Sequence, residues 1–184
     1  MNALTQPHPN RTNAPNPMTH RLTPEELRAR WIELARDPLL AQIPYKVEMN
    51  ERGSMEVSLA TTRHAALLAS LADQLRRQLP AGITLTQCAI ETELGVRVPD
   101  VAWASAEFVR THGVATPFSA APELCIEMLS RLNPRLQMLD KVTAYLAAGA
   151  REVWLVSEDG SLEMLGAQGV LSRSSFEIEI QLSS

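Results

Sequence analysis

The chain has no run of about 18 or more apolar residues, the length a membrane-spanning helix requires. Its opening stretch, MNALTQPHPNRTNAPNPMTH, has no apolar segment of the kind an export signal carries. A cytoplasmic, membrane-free protein is therefore expected. Positive charge is also short: the formal net charge is -4 and the pI is near 5.6. A surface that is one continuous phosphate footprint is excluded, because such surfaces recruit an excess of Lys and Arg. If the protein handles nucleic acid, it does so through a local basic patch or a metal ion.

Cysteine is nearly absent. The two present, Cys88 and Cys125, sit in the apolar stretches TLTQCAI and ELCIEML, where free cysteine commonly serves as a small core residue. That usage suits a reducing compartment. Four histidines with no His/Cys cluster argue against a zinc site. There is no internal repeat, heptad run or low-complexity block, and no helix-turn-helix or zinc module to carry base specificity.

What remains is an ordinary globular composition, with 45% apolar and 21% charged residues in 184, enough for one domain with a sizeable core. Residues 1–21, rich in Pro and Asn, are expected to form a flexible tail before a single domain over 22–184. Thr23, Pro24 and Glu26 carry the signature of a capped helix start. IPYKVEMNERGSMEVSLAT reads as a hairpin turning at Asn50–Gly53, and Ala65, Leu68, Leu71, Leu75 and Leu79 mark a long helix. GITLTQCAIE and GVRVPDVAWA read as two strands, followed by a polar loop, the strand ELCIEMLS and the helix LQMLDKVTAYLAAGA. REVWLVS and SLEMLGA flank a hairpin signal at Asp159-Gly160, and FEIEIQL alternates as a half-buried strand. This order predicts an α/β fold, a mixed sheet flanked by helices.

Three ionisable residues fall in apolar scaffolding: Asp100, Glu127 and Lys141. Glu127 lies between Ile126 and Met128, so it faces away from both and shares a side with Cys125 and Glu123. Two converging carboxylates suit a hard cation such as Mg²⁺, and a nearby ammonium suits phosphate chemistry. Each residue alone also has a plainer structural reading, as turn, edge-strand or exposed-helix residue.

The segments VRVPDVAWAS, APELCIEMLSRLN, Lys141 with Tyr145 in DKVTAYLAAGA, REVWLV, and upstream YKVEMNERGSMEV and TRHAALL occur in an order that resembles the Uma-type restriction endonuclease family, a branch of the PD-(D/E)XK nucleases. The resemblance implies a restriction-endonuclease-like core that binds Mg²⁺ or Mn²⁺ and acts on DNA. It matches Asp100 and Glu127 to the metal-binding acids, Glu48 to a further metal-site acid, and Lys141 to the basic catalytic residue. The superfamily pattern has Lys two residues after the second acid, where this chain has Leu129. The family also shows a histidine near His64 and an acid near Gln137.

Arg97, Arg131, Arg135 and Lys141 are the expected source of local positive field. Trp103, Tyr145 and Trp154 read as packing residues, and Asn133 opens the Lys141 helix. A symmetric dimer would help a nuclease to cut both strands. The function so implied is a metal-dependent DNA endonuclease. The alternative is a catalytically silent nuclease-fold module that binds nucleic acid or protein.

Overall fold

The computed structural model describes residues 20–129 and 135–182. Residues 1–19 of the expected tail, with Arg131 and Asn133, lie outside the described residues. Helix α1 (Pro24–Ala35) starts as its sequence dictates. The Glu26 amide donates to Thr23 Oγ1 at 3.3 Å, and the Thr23 amide donates back to Glu26 Oε2 at 2.8 Å. Strands β1 (Lys46–Asn50) and β2 (Met55–Ser58) form the expected antiparallel hairpin. Helix α2 (Thr62–Gln78) buries Leu67, Leu71 and Leu75. Ala65, assigned by spacing to the core face, is exposed at the rim of a cavity instead.

The two β-branched runs depart from expectation, because each breaks into two strands. β3 (Gly82–Thr86) pairs with β6 (Val101–Ser105), while β4 (Ile90–Thr92) pairs with β5 (Gly95–Arg97) in a different sheet. Gln87, at φ 53, turns the chain out of β3. Pro99 has no N–H to offer a ladder, so the chain leaves β5 through Val98–Asp100 before β6 begins. Asp100 therefore precedes its strand rather than lying within it. Its amide still donates to the Ile126 carbonyl at 2.9 Å, so the side chain is fixed beside the neighbouring strand.

Helix α3 (Ala106–His112) occupies part of what reads as loop, since seven residues are too few to display periodicity. The Phe108 amide donates to Ser105 Oγ, which caps it. Strands β7 (Leu124–Leu129) and β8 (Glu152–Ser157) are parallel, and helix α4 (Arg135–Ala147) makes the crossover that parallel neighbours need. β9 (Leu162–Gly166) and β10 (Gly169–Leu171) follow, with Gly160 at φ 89 in the Asp159-Gly160 turn.

The result is a mixed α/β fold with two sheets instead of one: β10-β9-β8-β7-β6-β3 and β2-β1-β5-β4. Ile126, Met128 and Trp154 face Leu67, Leu71 and Leu75 of α2 on one side of the larger sheet. Cys125, Val153 and Leu155 face Met138, Val142 and Tyr145 of α4 on the other. The period-two alternation of β7 thus sends Glu127 to the α4 side.

FEIEIQL is not a strand. Phe176, Ile178, Ile180 and Leu182 do pack on the α2 side of the core, so the face read from the alternation is right. The backbone, however, pairs with side chains. The Gln78 amide group donates to Glu179 O at 2.8 Å and accepts from Glu179 N at 3.1 Å, and Gln74 does the same at Gln181 with 2.9 and 2.8 Å. Two glutamines one helical turn apart take the place of a partner strand.

Among the described residues no helix is long and apolar enough to cross a membrane.

Candidate active site

The site lies where the two sheets meet. Gly95, at φ 103, stands opposite Asn50 in the β1–β5 pairing, and a β-carbon there would collide with the Met49 carbonyl. That close approach lets β5 lie against β1. It also delivers the Val98 amide to Glu48 Oε1, at 2.8 Å. Glu48 and Lys46, two apart on β1, both project toward the larger sheet.

Three carboxylates and two ammoniums converge there. Lys46 Nζ donates to Asp100 Oδ1 at 2.8 Å and to Glu127 Oε2 at 2.9 Å. Lys141 Nζ, from α4, lies 2.6 Å from Glu48 Oε2 and 3.2 Å from Glu127 Oε1. The Tyr145 hydroxyl, one turn further along α4, donates to Glu127 Oε1 at 2.8 Å. The Met128 amide fixes Asp100 Oδ2 at 2.7 Å, and His64 Nε2 stands 3.7 Å from Asp100 Oδ1. Asp100, Glu127 and Glu48 are all buried, each at 3% exposure or less. Their charge is tolerated because each has a cationic partner.

This environment separates the acids. Burial opposes ionisation of Asp100, but the Lys46 charge, the nearby His64 and the hydrogen bonds from Lys46 and the Met128 amide outweigh it and hold its pKa well below the usual carboxylate range. Glu127 goes the other way: burial raises it further than Lys46 and Lys141 lower it, with Asp100 and Glu48 adding repulsion. At Glu48, burial is outweighed by Lys141 and Lys46 and the pKa falls. Burial also disfavours the Lys46 ammonium, yet Glu127, Asp100 and Glu48 raise its pKa and keep it charged. The Asp100 carboxylate, 3.7 Å from Nε2, raises the His64 pKa more than burial lowers it.

A cavity of about 580 Å³ opens onto Lys46, His64, Gln87, Asp100, Glu127 and Lys141, walled by apolar residues including Tyr45 and Leu59. A second, of about 460 Å³, reaches Lys141 and Glu48 from the side of Arg97, Gln137 and Asp140.

The four sequence-derived site residues, Glu48, Asp100, Glu127 and Lys141, are thus brought together. Glu123 is not among them. It accepts from the Ser105 amide at 3.0 Å and hydroxyl at 2.5 Å, a role at the entrance of the strand. Arg97 is buried against Glu56, and Arg135 pairs with Glu163 at 2.7 Å, so neither is a free basic group at the larger cavity. Trp103 and Trp154 are core residues as expected. Both cysteines are free thiols, and burial pushes Cys88 up to about 12.

Sequence reasoning missed Lys46 as a site residue, and it read Tyr145 only as packing. The signal for Lys46 was present, since K-V-E-M alternation places Lys46 and Glu48 on one face.

The Uma2 family, described as "Putative restriction endonuclease", matches residues 37–176, which include every residue of the cluster. The chain belongs to this family. A search of curated proteins finds no match. Among solved structures, the crystal structure of a "putative nuclease belonging to DUF820" from Anabaena variabilis ATCC 29413 superposes with a TM-score of 0.57 at 17% identity, over 74% of this chain and 86% of that one. The Uma2 chain thus shares the fold of that protein, and its buried acids lie within the family's matched span.

Donor chemistry tests whether a divalent ion fits. Asp100 Oδ1 and Glu127 Oε2 already converge on a cationic group, and both are hard oxygen donors. Among the described residues no group of three or more His, Cys, Asp or Glu side chains forms a metal cage. Two carboxylates, with remaining positions left to water and phosphate oxygens, is the donor set Mg²⁺ accepts. The residues present fit such an ion.

Proposed function

We propose that the protein is a divalent-metal-dependent endonuclease that hydrolyses phosphodiester bonds in DNA, with Mg²⁺ or Mn²⁺ held by Asp100 and Glu127. The observation that carries the reading is the convergence of these two buried carboxylates on a single cationic position at the floor of a cavity. Membership of a family described as restriction endonucleases supplies the reaction class. An ion bound there would acidify a coordinated water and offset charge developing on the phosphate.

The chain's own residues supply the rest. Met128 N–H and His64 orient Asp100, and Tyr145 O–H orients Glu127. Glu48 holds the Lys141 ammonium against Glu127, at the boundary of both cavities, where it can position the attacking water or the scissile phosphate. Glu48 acts as the partner of Lys141 more directly than as a metal ligand. Cytoplasmic location and a homodimer that presents two sites to one duplex complete the proposal.

The test is cleavage of supercoiled and single-stranded DNA with Mg²⁺, Mn²⁺ or EDTA, beside Asp100→Ala. Cutting that requires metal and disappears in the variant is expected. Failure of the folded wild-type protein to cut with any ion would overturn it and leave the non-catalytic binding module.

A further inference from the structure

Lys46 occupies the position that the proposed metal ion needs. Its Nζ lies 2.8 Å from Asp100 and 2.9 Å from Glu127, and its side chain is only 10% exposed. Counted as ionised, three carboxylates against two ammoniums give the cluster one negative charge, which protonation of His64 would cancel. A dication added beside Lys46 would meet an ammonium on the same two oxygens, where like charges repel strongly in a partly dry site. A dication that displaces Lys46 keeps both carboxylates satisfied.

The displaced ammonium has a place to go. Lys46 lines the larger cavity, beside Tyr45, His64 and Gln87, which is the open approach to the acids. Other cations are scarce there: Lys141 is held by Glu48 and Glu127, and Arg63 donates to the Glu158 carbonyl at 2.8 Å. A phosphate entering the cavity would therefore find Lys46 as its one freed cationic partner among the described residues lining it.

We infer that Lys46 is a phosphate-binding residue that holds the metal position until substrate arrives, and that exchanges the Asp100–Glu127 pair for the substrate phosphate when metal enters. This inference rests on the metal-dependent nuclease reading. Metal and nucleotide then bind with positive coupling, because each favours the same displaced state of Lys46, and the coupling is reciprocal. Without nucleotide, metal affinity is reduced by the small fraction of molecules in which Lys46 has already left.

The experiment is calorimetric titration of Mn²⁺ into wild-type protein and Lys46→Met, each with and without thymidine 3′,5′-bisphosphate, after circular dichroism has checked folding. In the nucleotide-free state the variant is expected to bind Mn²⁺ about tenfold or more tightly than wild type, within the usual 5- to 150-fold span of such coupling. The bisphosphate is expected to tighten Mn²⁺ binding in wild type and to do so much less in the variant. A purely structural Lys46 would give the opposite sign, since its loss would loosen the two acids. If Lys46→Met fails to fold, Lys46→Gln is titrated in its place with the same expectations, and absence of tightening by the bisphosphate in wild type overturns the inference in either case. Equal or weaker Mn²⁺ affinity in a folded variant overturns the role of Lys46 and leaves the nuclease reading standing. Mn²⁺ binding by neither protein overturns both.

Discussion

The Tyr145 hydroxyl donates to Glu127 Oε1 at 2.8 Å inside the core, where both side chains are fully buried. Burial, together with the neighbouring Glu127 and Glu48 carboxylates, raises the Tyr145 pKa well above its ordinary value. The phenol therefore stays a neutral donor across the physiological range, and it fixes the oxygen of Glu127 that faces Lys141. Tyr145→Phe removes one hydrogen bond to a charged group at little change in volume. A stability loss of about 1.5–3 kcal/mol is expected in urea denaturation. A fall in cleavage rate should accompany it, since Glu127 loses its orientation; an unchanged rate in the folded variant would show that Lys141 and Lys46 suffice to hold the acid.

His64 should titrate above its ordinary value of 6.5, because the Asp100 carboxylate stands 3.7 Å from its Nε2 and favours the charged ring. The sign of the linkage follows from that direction. The stabilisation from charged His64 is fully present below the unfolded-state value near 6.5 and is lost as pH rises through the higher folded value. NMR titration of the metal-free protein reads this directly, and Asp100→Asn should move the His64 midpoint downward. A midpoint unmoved by that substitution would separate the two residues electrostatically.

A different buried acid should behave as structure alone. Glu152 accepts from Trp154 Nε1 at 2.8 Å, Ser174 Oγ at 2.9 Å, and the amide and hydroxyl of Ser175 at 2.6 Å each. No lysine meets it among these contacts. Glu152→Ala leaves those donors without their acceptor, with an expected loss of about 2–4 kcal/mol. Measured on the folded fraction, Mn²⁺ affinity should be unchanged; a weakened affinity would tie Glu152 to the site.

Glu152 also marks where sequence reasoning stops. Composition and alternation place Glu127 on the Cys125 face of its strand, and the structure confirms the face by setting it under α4. Nothing local in the sequence distinguishes Glu127 from Glu152, each an acid in an apolar strand; apolar context pointed to Asp100, Glu127 and Lys141, and the ordered motifs of the family added Glu48 and the role of each. Tyr145 escaped because burial on a helix predicts packing without revealing what the hydroxyl reaches. Arg97 read as a free cation because its partner Glu56 is brought to it only through the β1–β2 hairpin. The two-sheet division was hidden for a similar reason: Cys88, Ala89 and Val98 keep each run apolar across its break, while the turn at Gln87 and the missing donor of Pro99 divide the ladder.

The C-terminal segment offers a test of side-chain pairing in place of a strand. Gln78→Ala removes both contacts to Glu179 while leaving Phe176 and Ile178 on the core. Faster hydrogen exchange at the Glu179 amide is expected, with a stability loss of about 1–2 kcal/mol. Unchanged protection there would mean that apolar packing alone holds the segment.

The most direct measurement for the whole account is an anomalous difference map from crystals soaked in Mn²⁺ with thymidine 3′,5′-bisphosphate. A single strong peak is predicted within bonding reach, about 2.0–2.2 Å, of one oxygen each of Asp100 and Glu127, with the Lys46 ammonium moved off both acids. Full nucleotide occupancy with no manganese at that pair, and Lys46 still bridging it, would contradict the assignment of these carboxylates as a metal-dependent hydrolytic centre.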